Sequence, residues 1–325
     1  MKTAYKVLGL LLALMLASAF PVSESKAQSY PTKPIKLVVG YAPGGGNDSL
    51  ARILAPKLGE RLGQSVIVEN RPGANATIGV AYVAKAAPDG YTLLIGASGE
   101  MIYSAGLYDR LPYDTLKDFV AVMRLVTNPL VFAVHPSVPV TTISELIALA
   151  KAKPGQLFYA SGAAPFQVTT ELFKKQTGVN ITHVPFKGAG PAVTAAIAGE
   201  VALVVVGLSS VQMQMRAGQL RGLAVTSPKR DSHMPDIPTM IEAGVSNFEV
   251  VTMSGLFVPA GTPRAITDKL FTETSAVLAL NDVKDRLAFI GYDPSGLPSA
   301  EFGVFLKDNI VKWTKVSKDA QIRAE

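Results

Sequence analysis

The chain alternates short apolar runs with segments of helical spacing. The runs are rich in β-branched residues and lack polar alternation, at residues 35–40, 66–68, 92–95, 157–160, 201–206 and 223–226. Such runs predict strands that are buried on both faces, as in parallel sheets covered by helices. Between them, apolar residues recur three or four positions apart, as in Leu50, Ile53 and Leu54, which predicts amphipathic helices. Together the two signals predict doubly wound α/β sheets with helices on both faces.

The number of strand and helix units predicts two lobes, because eight or more exceed what one sheet core usually holds. Two long, irregular apolar stretches, residues 120–134 and 250–259, are interpreted as connections that cross between the lobes. The first lobe then consists of residues 28–125 plus 249–325, and the second of residues 126–248. The chain shows no short repeat and no low-complexity linker, which favours hinged lobes over two units on a flexible tether.

The first 27 residues are typical of a secretory signal peptide. Two lysines precede the apolar run at residues 7–17, and Ser25 and Ala27 supply small side chains for a signal peptidase. Eleven uninterrupted apolar residues fall short of the ~20 that a membrane-spanning helix needs. We expect cleavage after Ala27, with Ala19 as the alternative site, and a mature protein in the periplasm.

Composition excludes several function classes. Of 325 residues, 48% are hydrophobic and 17% charged, which is not the composition of a disordered chain. No cysteine is present, so disulfides, thiolate metal sites and a cysteine nucleophile are excluded. Loss of residues 1–27 removes three lysines and one glutamate, which lowers the formal charge from +6 to +4. This mild charge does not indicate nucleic-acid binding, and three histidines leave little for a metal or cofactor site.

A glycine-rich loop follows the first predicted strand and precedes a helical pattern that starts near Ser49. The candidate ligand contacts in this loop are Ala42, Pro43, Gly44, Gly45, Gly46, Asn47 and Asp48. Consecutive glycines let the backbone approach a ligand, and a helix N-terminus presents unpaired N–H groups at its positive end. The pattern is neither a Walker loop nor a dinucleotide fingerprint, so it predicts a general anion site. Asn47 or Asp48 also suits the simpler role of a helix cap.

A second loop of the same kind follows the predicted strand at residues 157–160. Its candidate ligand contacts are Ser161, Gly162, Ala163, Ala164, Phe166 and Gln167. Two helix N-termini that face each other across a cleft would hold a carboxylate at each end of a dicarboxylate. An ordinary strand-to-helix turn remains an equally good interpretation of this loop.

Seven short segments resemble one known family, the Bug/TctC-type periplasmic receptors of tripartite tricarboxylate transporters. They are residues 30–35 (YPTKPI), 43–48 (PGGGND), 68–74 (VENRPGA), 86–93 (AAPDGYTL), 183–192 (HVPFKGAGPA), 224–227 (AVTS) and 235–244 (PDIPTMIEAG). The resemblance runs in order from Tyr30 to Trp313, which is nearly the whole mature chain.

The resemblance implies a two-lobed periplasmic-binding-protein fold with two crossovers between the lobes. It also implies a monomeric receptor that captures a small carboxylate between the lobes and delivers it to a membrane permease with one large and one small subunit. Both glycine-containing loops would contact the ligand, and Gly207 would lie at the second lobe's side of the cleft. Lys187 would add positive charge, with a solvated surface lysine as an equally good alternative. No catalytic residue is implied.

The chain departs from the family in the second lobe. Residues 163–167 replace a longer glycine- and serine-rich stretch, and Gln167 stands where relatives carry histidine. Ala202, Val206 and Gly207 stand where acids or an amide are common. Because a buried ammonium without an acceptor is costly, amino acids become poor ligands.

An apolar spacer in the ligand becomes more plausible instead. Phe166, Val206, Leu208 and Met101 are candidates to face that spacer, with core packing as the alternative for each. We expect an amine-free mono- or dicarboxylate, terephthalate-like or adipate-like.

Two other functions remain open at this point. A ligand-presenting component of a periplasmic signalling system would use the same closure of lobes. A secreted hydrolase is the weaker alternative, because no Gly-x-Ser-x-Gly motif is present and His135, His183 and His233 lie in contexts that do not suggest a triad.

Overall fold

The computed structural model describes residues 30–186, 188–232 and 234–323, so the predicted signal peptide at residues 1–27 lies outside the described residues. The strands are β1 (Ile35–Val39), β2 (Val66–Asn70), β3 (Thr92–Ala97), β4 (Phe119–Val134), β5 (Phe158–Ser161), β6 (Thr182–Pro185), β7 (Leu203–Gly207), β8 (Arg221–Val225), β9 (Val251–Pro259) and β10 (Asp293–Pro298).

The α-helices are α1 (Gly46–Leu62), α2 (Thr77–Ala84), α3 (Ser104–Leu107), α4 (Ile143–Ala152), α5 (Ala164–Thr177), α6 (Ala189–Ile197), α7 (Gln212–Arg216), α8 (Arg264–Ala279), α9 (Asn281–Phe289) and α10 (Ser299–Asp319). A π-helical turn covers Gly99–Tyr103 and a 3-10 turn covers Leu208–Ser210. Among the described helices, none is long and apolar enough to cross a membrane.

The first lobe contains a mixed sheet in the order β2-β1-β3-β9-β4-β10. Its β1 strand alternates between two apolar cores, because Leu37 and Val39 join one cluster and Val38 the other. Helices α1, α8 and α9 cover the first face, whereas α2 and α10 cover the second. A strand buried on both faces needs no polar alternation, which explains the uninterrupted apolar run in its sequence.

The second lobe contains a sheet in the order β6-β5-β7-β4-β8. In the C-terminal part of β4, which belongs to this lobe, Val131 and Ala133 pack with α6. Phe132 packs on the opposite face of the sheet with α4 and α5. Both lobes therefore have helices on both faces of a sheet, and the predicted doubly wound, two-lobed fold is confirmed.

The chain crosses between the lobes along two extended segments. Strand β4 pairs with β9 as far as Pro129, and from Leu130 onward it pairs with β7. Proline cannot donate a ladder hydrogen bond, so Pro129 suits this change of partner. The return path passes Val250, whose N–H bonds the carbonyl of Thr226, and continues directly into β9.

Two details of the sequence interpretation were wrong. The stretches at residues 120–134 and 250–259 do cross between the lobes, but they do so as the strands β4 and β9 rather than as irregular segments. These strands, with β8 and β10, run antiparallel to their neighbours, so the sheets are mixed rather than parallel. The lobe boundaries at 125/126 and 248/249 stay a prediction.

Candidate ligand-binding cleft

A cleft of about 220 Å³ lies between the lobes, where segments after β1, β3, β5 and β7 meet the crossover strands. Ligands of open α/β sheets bind outside the carboxyl ends of the strands, which is the position of these four segments. The first lobe contributes Tyr41, Gly46, Asn47, Ser98, Ser254 and Tyr292 to the lining, and the second contributes Ala163, Pro165, Phe166, Gly207, Ser209 and Ser210. Asn128 and Thr252 line the cleft from β4 and β9, and no charged side chain among the described residues lines it.

The glycine loop places the N-terminus of α1 at this cleft. The helix begins at Gly46, and no described residue accepts a hydrogen bond from the N–H groups of Gly45, Gly46 or Asn47. These are among the first N–H groups of a helix, which lack intrahelical acceptors and lie at its positive end. A Cβ at Gly46 would lie 2.4 Å from the Tyr292 hydroxyl, so only glycine fits there.

Of the predicted loop contacts, Gly46 and Asn47 line the cleft, whereas Ala42, Pro43, Gly44 and Gly45 are exposed and do not. Gly44 has φ +88°, a conformation that favours glycine. The structure therefore brings only the C-terminal part of the predicted loop to the lining.

Asp48 lies beneath the loop and does not line the cleft. Its carboxylate accepts hydrogen bonds from Gly44 N–H at 2.9 Å, Arg52 Nε at 2.9 Å and Asn70 Nδ2 at 2.9 Å. The Arg52 bond is the main cause that lowers the pKa of Asp48 to about 2. Asp48 thus holds the loop in place, but neither Asp48 nor Asn47 is the helix cap, because the N-cap residue is Gly45 and no side chain makes a cap hydrogen bond.

The first lobe's wall is made of neutral hydrogen-bonding groups. Asn47 Oδ1 accepts a bond from Ser254 Oγ at 2.6 Å, which leaves its Nδ2 without a partner among the described residues. Burial raises the pKa of Tyr292 to about 12, so its hydroxyl remains a donor at neutral pH.

Behind this wall, the Tyr41 hydroxyl donates to the buried Glu100 at 2.6 Å. Desolvation raises the pKa of Glu100 to about 7, against the hydrogen bonds that favour its charged form. Because Tyr41 is engaged in this bond, its hydroxyl proton is directed away from a ligand.

The second lobe's wall is more apolar. Ala163, Phe166 and Gly207 line the cleft as predicted, together with Pro165. The α5 N-terminus offers fewer free N–H groups than α1, because proline has none and the Phe166 N–H bonds the Ala163 carbonyl at 3.0 Å.

The other predicted residues of the second lobe lie outside this lining. Ser161 is buried and its Oγ lies 2.8 Å from His183 Nε2. Gly162 packs so closely on the Gly188 backbone that a Cβ would overlap it. Ala164 and Gln167 do not line the cleft, and Lys187 lies outside the described residues. Ser161 is 3% exposed, which is not how a hydrolase presents its nucleophile.

Of the four candidates for an apolar spacer, one lines the cleft and three follow the alternative interpretation, core packing. Met101, Val206 and Leu208 are at most 1% exposed and belong to the cores, whereas Phe166 lines the cleft. Hydrophobic strand residues are usually core residues, and the sequence gives no local signal that separates the two roles.

Tyr41 and Pro165 adjoin predicted contacts in the two loops, and ten further lining residues were not singled out from the sequence: Ala97, Ser98, Gly99, Asn128, Ser209, Ser210, Thr252, Met253, Ser254 and Tyr292. Ser98 and Ser209 follow predicted strands, which is a usable signal. The other lining residues come together only in the folded structure. Ser254, for example, is 207 positions away from its hydrogen-bond partner Asn47.

A larger groove of about 810 Å³ lies on the other side of the crossover strands. Thr127 and Pro129 line it, whereas Asn128 between them lines the cleft, as expected from the alternation of side chains along a strand. The groove has charged side chains of both signs and contains none of the glycine loop, so we assign ligand binding to the smaller cleft. The described residues include no cluster of three or more potential metal ligands.

Comparison with known proteins identifies the family. Residues 50–322 match the TctC family, described as the tripartite tricarboxylate transporter family receptor. This chain belongs to that family. It is 35% identical to Protein BugT of Bordetella pertussis (strain Tohama I) over 311 residues, which cover 95% of each protein.

Two solved structures resemble this receptor in sequence and fold. R. palustris Rpa4515 with adipate has a TM-score of 0.81 and 36% identity, and the match covers 90% of this chain and 99% of that one. MatC (Rpa3494) from Rhodopseudomonas palustris with bound malate has a TM-score of 0.76 and 30% identity, with coverage of 88% and 99%. The family consists of periplasmic solute-binding receptors rather than enzymes, and the relatives bind carboxylates.

Proposed function

We propose that this protein captures a small, amine-free carboxylate between its lobes and delivers it to a tripartite tricarboxylate-type permease with one large and one small subunit. The observation that carries the proposal is the pair of unpaired N–H groups at Gly46 and Asn47, which lie at the positive end of α1 in the cleft lining. Helix N-termini of this kind bind carboxylates without a cationic side chain.

The neutral lining defines the ligand class. An ammonium group would need an acidic partner, and the two nearest buried acids, Asp48 and Glu100, are both engaged by protein groups. Ala163, Pro165 and Phe166 supply an apolar wall opposite the α1 N-terminus, which suits a hydrocarbon portion of the ligand. The adipate and malate bound to the two relatives are amine-free dicarboxylates.

The remaining parts of the proposal concern location and delivery. Signal-peptide cleavage after Ala27 would release a periplasmic monomer with lobes at residues 28–125 plus 249–325 and 126–248. A membrane partner would distinguish the liganded from the empty receptor through the relative position of the lobes.

A thermal-shift screen of the mature protein tests ligand capture. The panel contains adipate, terephthalate, malate and benzoate, with glutamate and glucose as controls. A carboxylate at ten times its dissociation constant should add about 1.4 kcal/mol to the free energy of unfolding, because only the folded state binds it. A response confined to glucose or glutamate would contradict the proposal. Uptake of the labelled ligand by cells with and without the permease genes then tests delivery.

A further inference from the structure

Asn128 occupies a distinctive place in the cleft. It lies on β4 beside the point where this strand passes from one lobe to the other, and its side chain faces the cleft. Its Nδ2 donates to Ser209 Oγ at 3.0 Å, and its main-chain carbonyl accepts a bond from Thr252 Oγ1 at 2.7 Å. The residue is thus tied to the second lobe and to the other crossover strand.

One polar atom of this amide has no partner. Asn128 is 9% exposed, and no described residue pairs with its buried Oδ1. A buried acceptor without a hydrogen bond lowers the stability of the unliganded protein, because it loses water without replacement. A ligand group that pairs with this atom would recover that loss upon binding.

The orientation of the amide determines which ligand group fits. Rotation of the amide by 180° exchanges its oxygen and nitrogen, and the Ser209 hydroxyl pairs equally well with either one. The unpaired atom is then an acceptor in one orientation and a donor in the other. A hydroxyl group serves both orientations, whereas a methylene group serves neither.

Gly207 leaves space for the Asn128 amide. A Cβ at Gly207 would lie 2.6 Å from Asn128 Nδ2, so any side chain at position 207 would displace it. Gly207 therefore leaves room for the neutral amide of Asn128.

We propose that Asn128 is a specificity-determining residue that selects hydroxylated carboxylates over their unsubstituted counterparts. This inference rests on the proposed function, since the carboxylate itself is held by the N-terminus of α1. It narrows the ligand class, because a purely hydrocarbon spacer leaves the Asn128 amide unpaired in the closed cleft.

Calorimetric titration with matched ligand pairs tests the inference. The pairs are succinate and malate, glutarate and 2-hydroxyglutarate, and phenylacetate and mandelate, which differ by one hydroxyl group. In each pair that binds, the wild type should prefer the hydroxylated member about tenfold, the effect of one hydrogen bond. Asn128→Leu should bind both members within about threefold, because its side chain has a similar size and no polar atom.

Thr127→Val is the matched control. Thr127 is the adjacent strand residue and lines the groove on the opposite side, so this variant should keep the hydroxyl preference. A second measurement separates ligand recognition from a structural role. The unliganded Asn128→Leu variant should melt close to the wild type, because loss of the unpaired oxygen offsets loss of the hydrogen bond to the partly exposed Ser209, whereas removal of a purely structural amide would lower the melting temperature.

The outcomes are distinguishable. Three results would overturn the role of Asn128 without contradicting the proposed carboxylate binding. They are equal affinities within the pairs, a hydroxyl preference that persists in Asn128→Leu, and binding confined to carboxylates without a hydroxyl group. If the thermal-shift screen finds no carboxylate at all, the proposed function itself fails and this inference fails with it.

Discussion

Asp48 shows how a single residue organises the glycine loop without lining the cleft. The carboxylate lies under the glycine loop, is 3% exposed and receives hydrogen bonds from three different segments of the chain. Its position in the first turn of α1 also places a negative charge at the helix's positive end, which is favourable. The charge of Asp48 should therefore stabilise the loop even in the absence of ligand.

We expect Asp48→Asn to lower the free energy of unfolding at neutral pH and to remove one contribution to its decrease in acid. The pKa of Asp48 is lowered from 3.8 to about 2 in the folded state, so its ionised form stabilises the fold. The contribution is complete above about pH 4 and is lost as the pH falls through 2.

The free energy of unfolding of the variant should be about 1 kcal/mol lower than that of the wild type at pH 7. This is less than the ~1.5–3 kcal/mol of a typical charge-assisted hydrogen bond, because Arg52 is about half exposed. Chemical denaturation at pH 7 and pH 2 measures the effect as a difference between the two proteins, which cancels the other acids. A difference that is as large at pH 2 as at pH 7 would show that the charge has no such role.

The element that we propose binds the ligand is the N-terminus of α1, and its glycines are not equivalent. A Cβ at Gly46 would lie 2.4 Å from the Tyr292 hydroxyl, whereas a Cβ at Gly45 would have no atom closer than 3.7 Å. The Gly45 φ of −78° is also accessible to any residue. The three consecutive glycines look identical in the sequence, and only their neighbours in the fold distinguish them.

We expect Gly46→Ala to reduce carboxylate affinity at least tenfold, because the new methyl group displaces Tyr292 or moves the N–H groups that face the cleft. Gly45→Ala is the matched control and should bind within about threefold of the wild type. Calorimetric titration measures both, and circular dichroism checks that both variants are folded. Equal affinities for the two variants would remove the Gly46 backbone from the ligand site.

At the level of elements, the sequence predicted buried strands well and the crossover strands poorly. Strands β1, β3 and β7 are compact apolar runs, so their pattern is unambiguous. In contrast, β4 has 16 residues with Arg124 and Pro129 inside it, because it serves two sheets in succession. A strand whose partners change along its length shows no single periodicity, and Asn128 was missed for the same reason.

Strand β10 and the cleft residue Tyr292 could not be predicted for a different reason. The strand sequence DPSGLP contains two prolines and a glycine, which are depleted in strands, and it forms only as an edge partner of β4. Its position depends on a long-range contact. The cleft is thus assembled from one recognisable loop and several segments that have no local signature.

The whole molecule brings its lobes together across the cleft at one tight point. Gly291, just before Tyr292 in the first lobe, lies against Ser209 of the second lobe, and a Cβ at position 291 would be 2.5 Å from that of Ser209. The lobes also share an apolar cluster that includes Phe132 of the second lobe and Phe257 of the first. We therefore expect the Gly291–Ser209 approach to limit closure of the lobes.

We expect Gly291→Ala to hold the lobes apart and to weaken ligand binding about tenfold or more. Gly291 has φ +74°, so an alanine there adds backbone strain as well as the clash with Ser209. Gly296→Ala is the matched control, because Gly296 has φ +63° and no atom within 4 Å of its Cβ position. Alanine at position 296 adds similar backbone strain but causes no clash between the lobes.

Small-angle scattering with saturating carboxylate should give a larger radius of gyration for Gly291→Ala than for the wild type and for Gly296→Ala. Calorimetric titration should show a loss of carboxylate affinity in Gly291→Ala but not in Gly296→Ala. Identical affinity and scattering in the two variants would mean that the approach of Gly291 to Ser209 does not set the closed position, and that the apolar cluster shared by the lobes sets it instead.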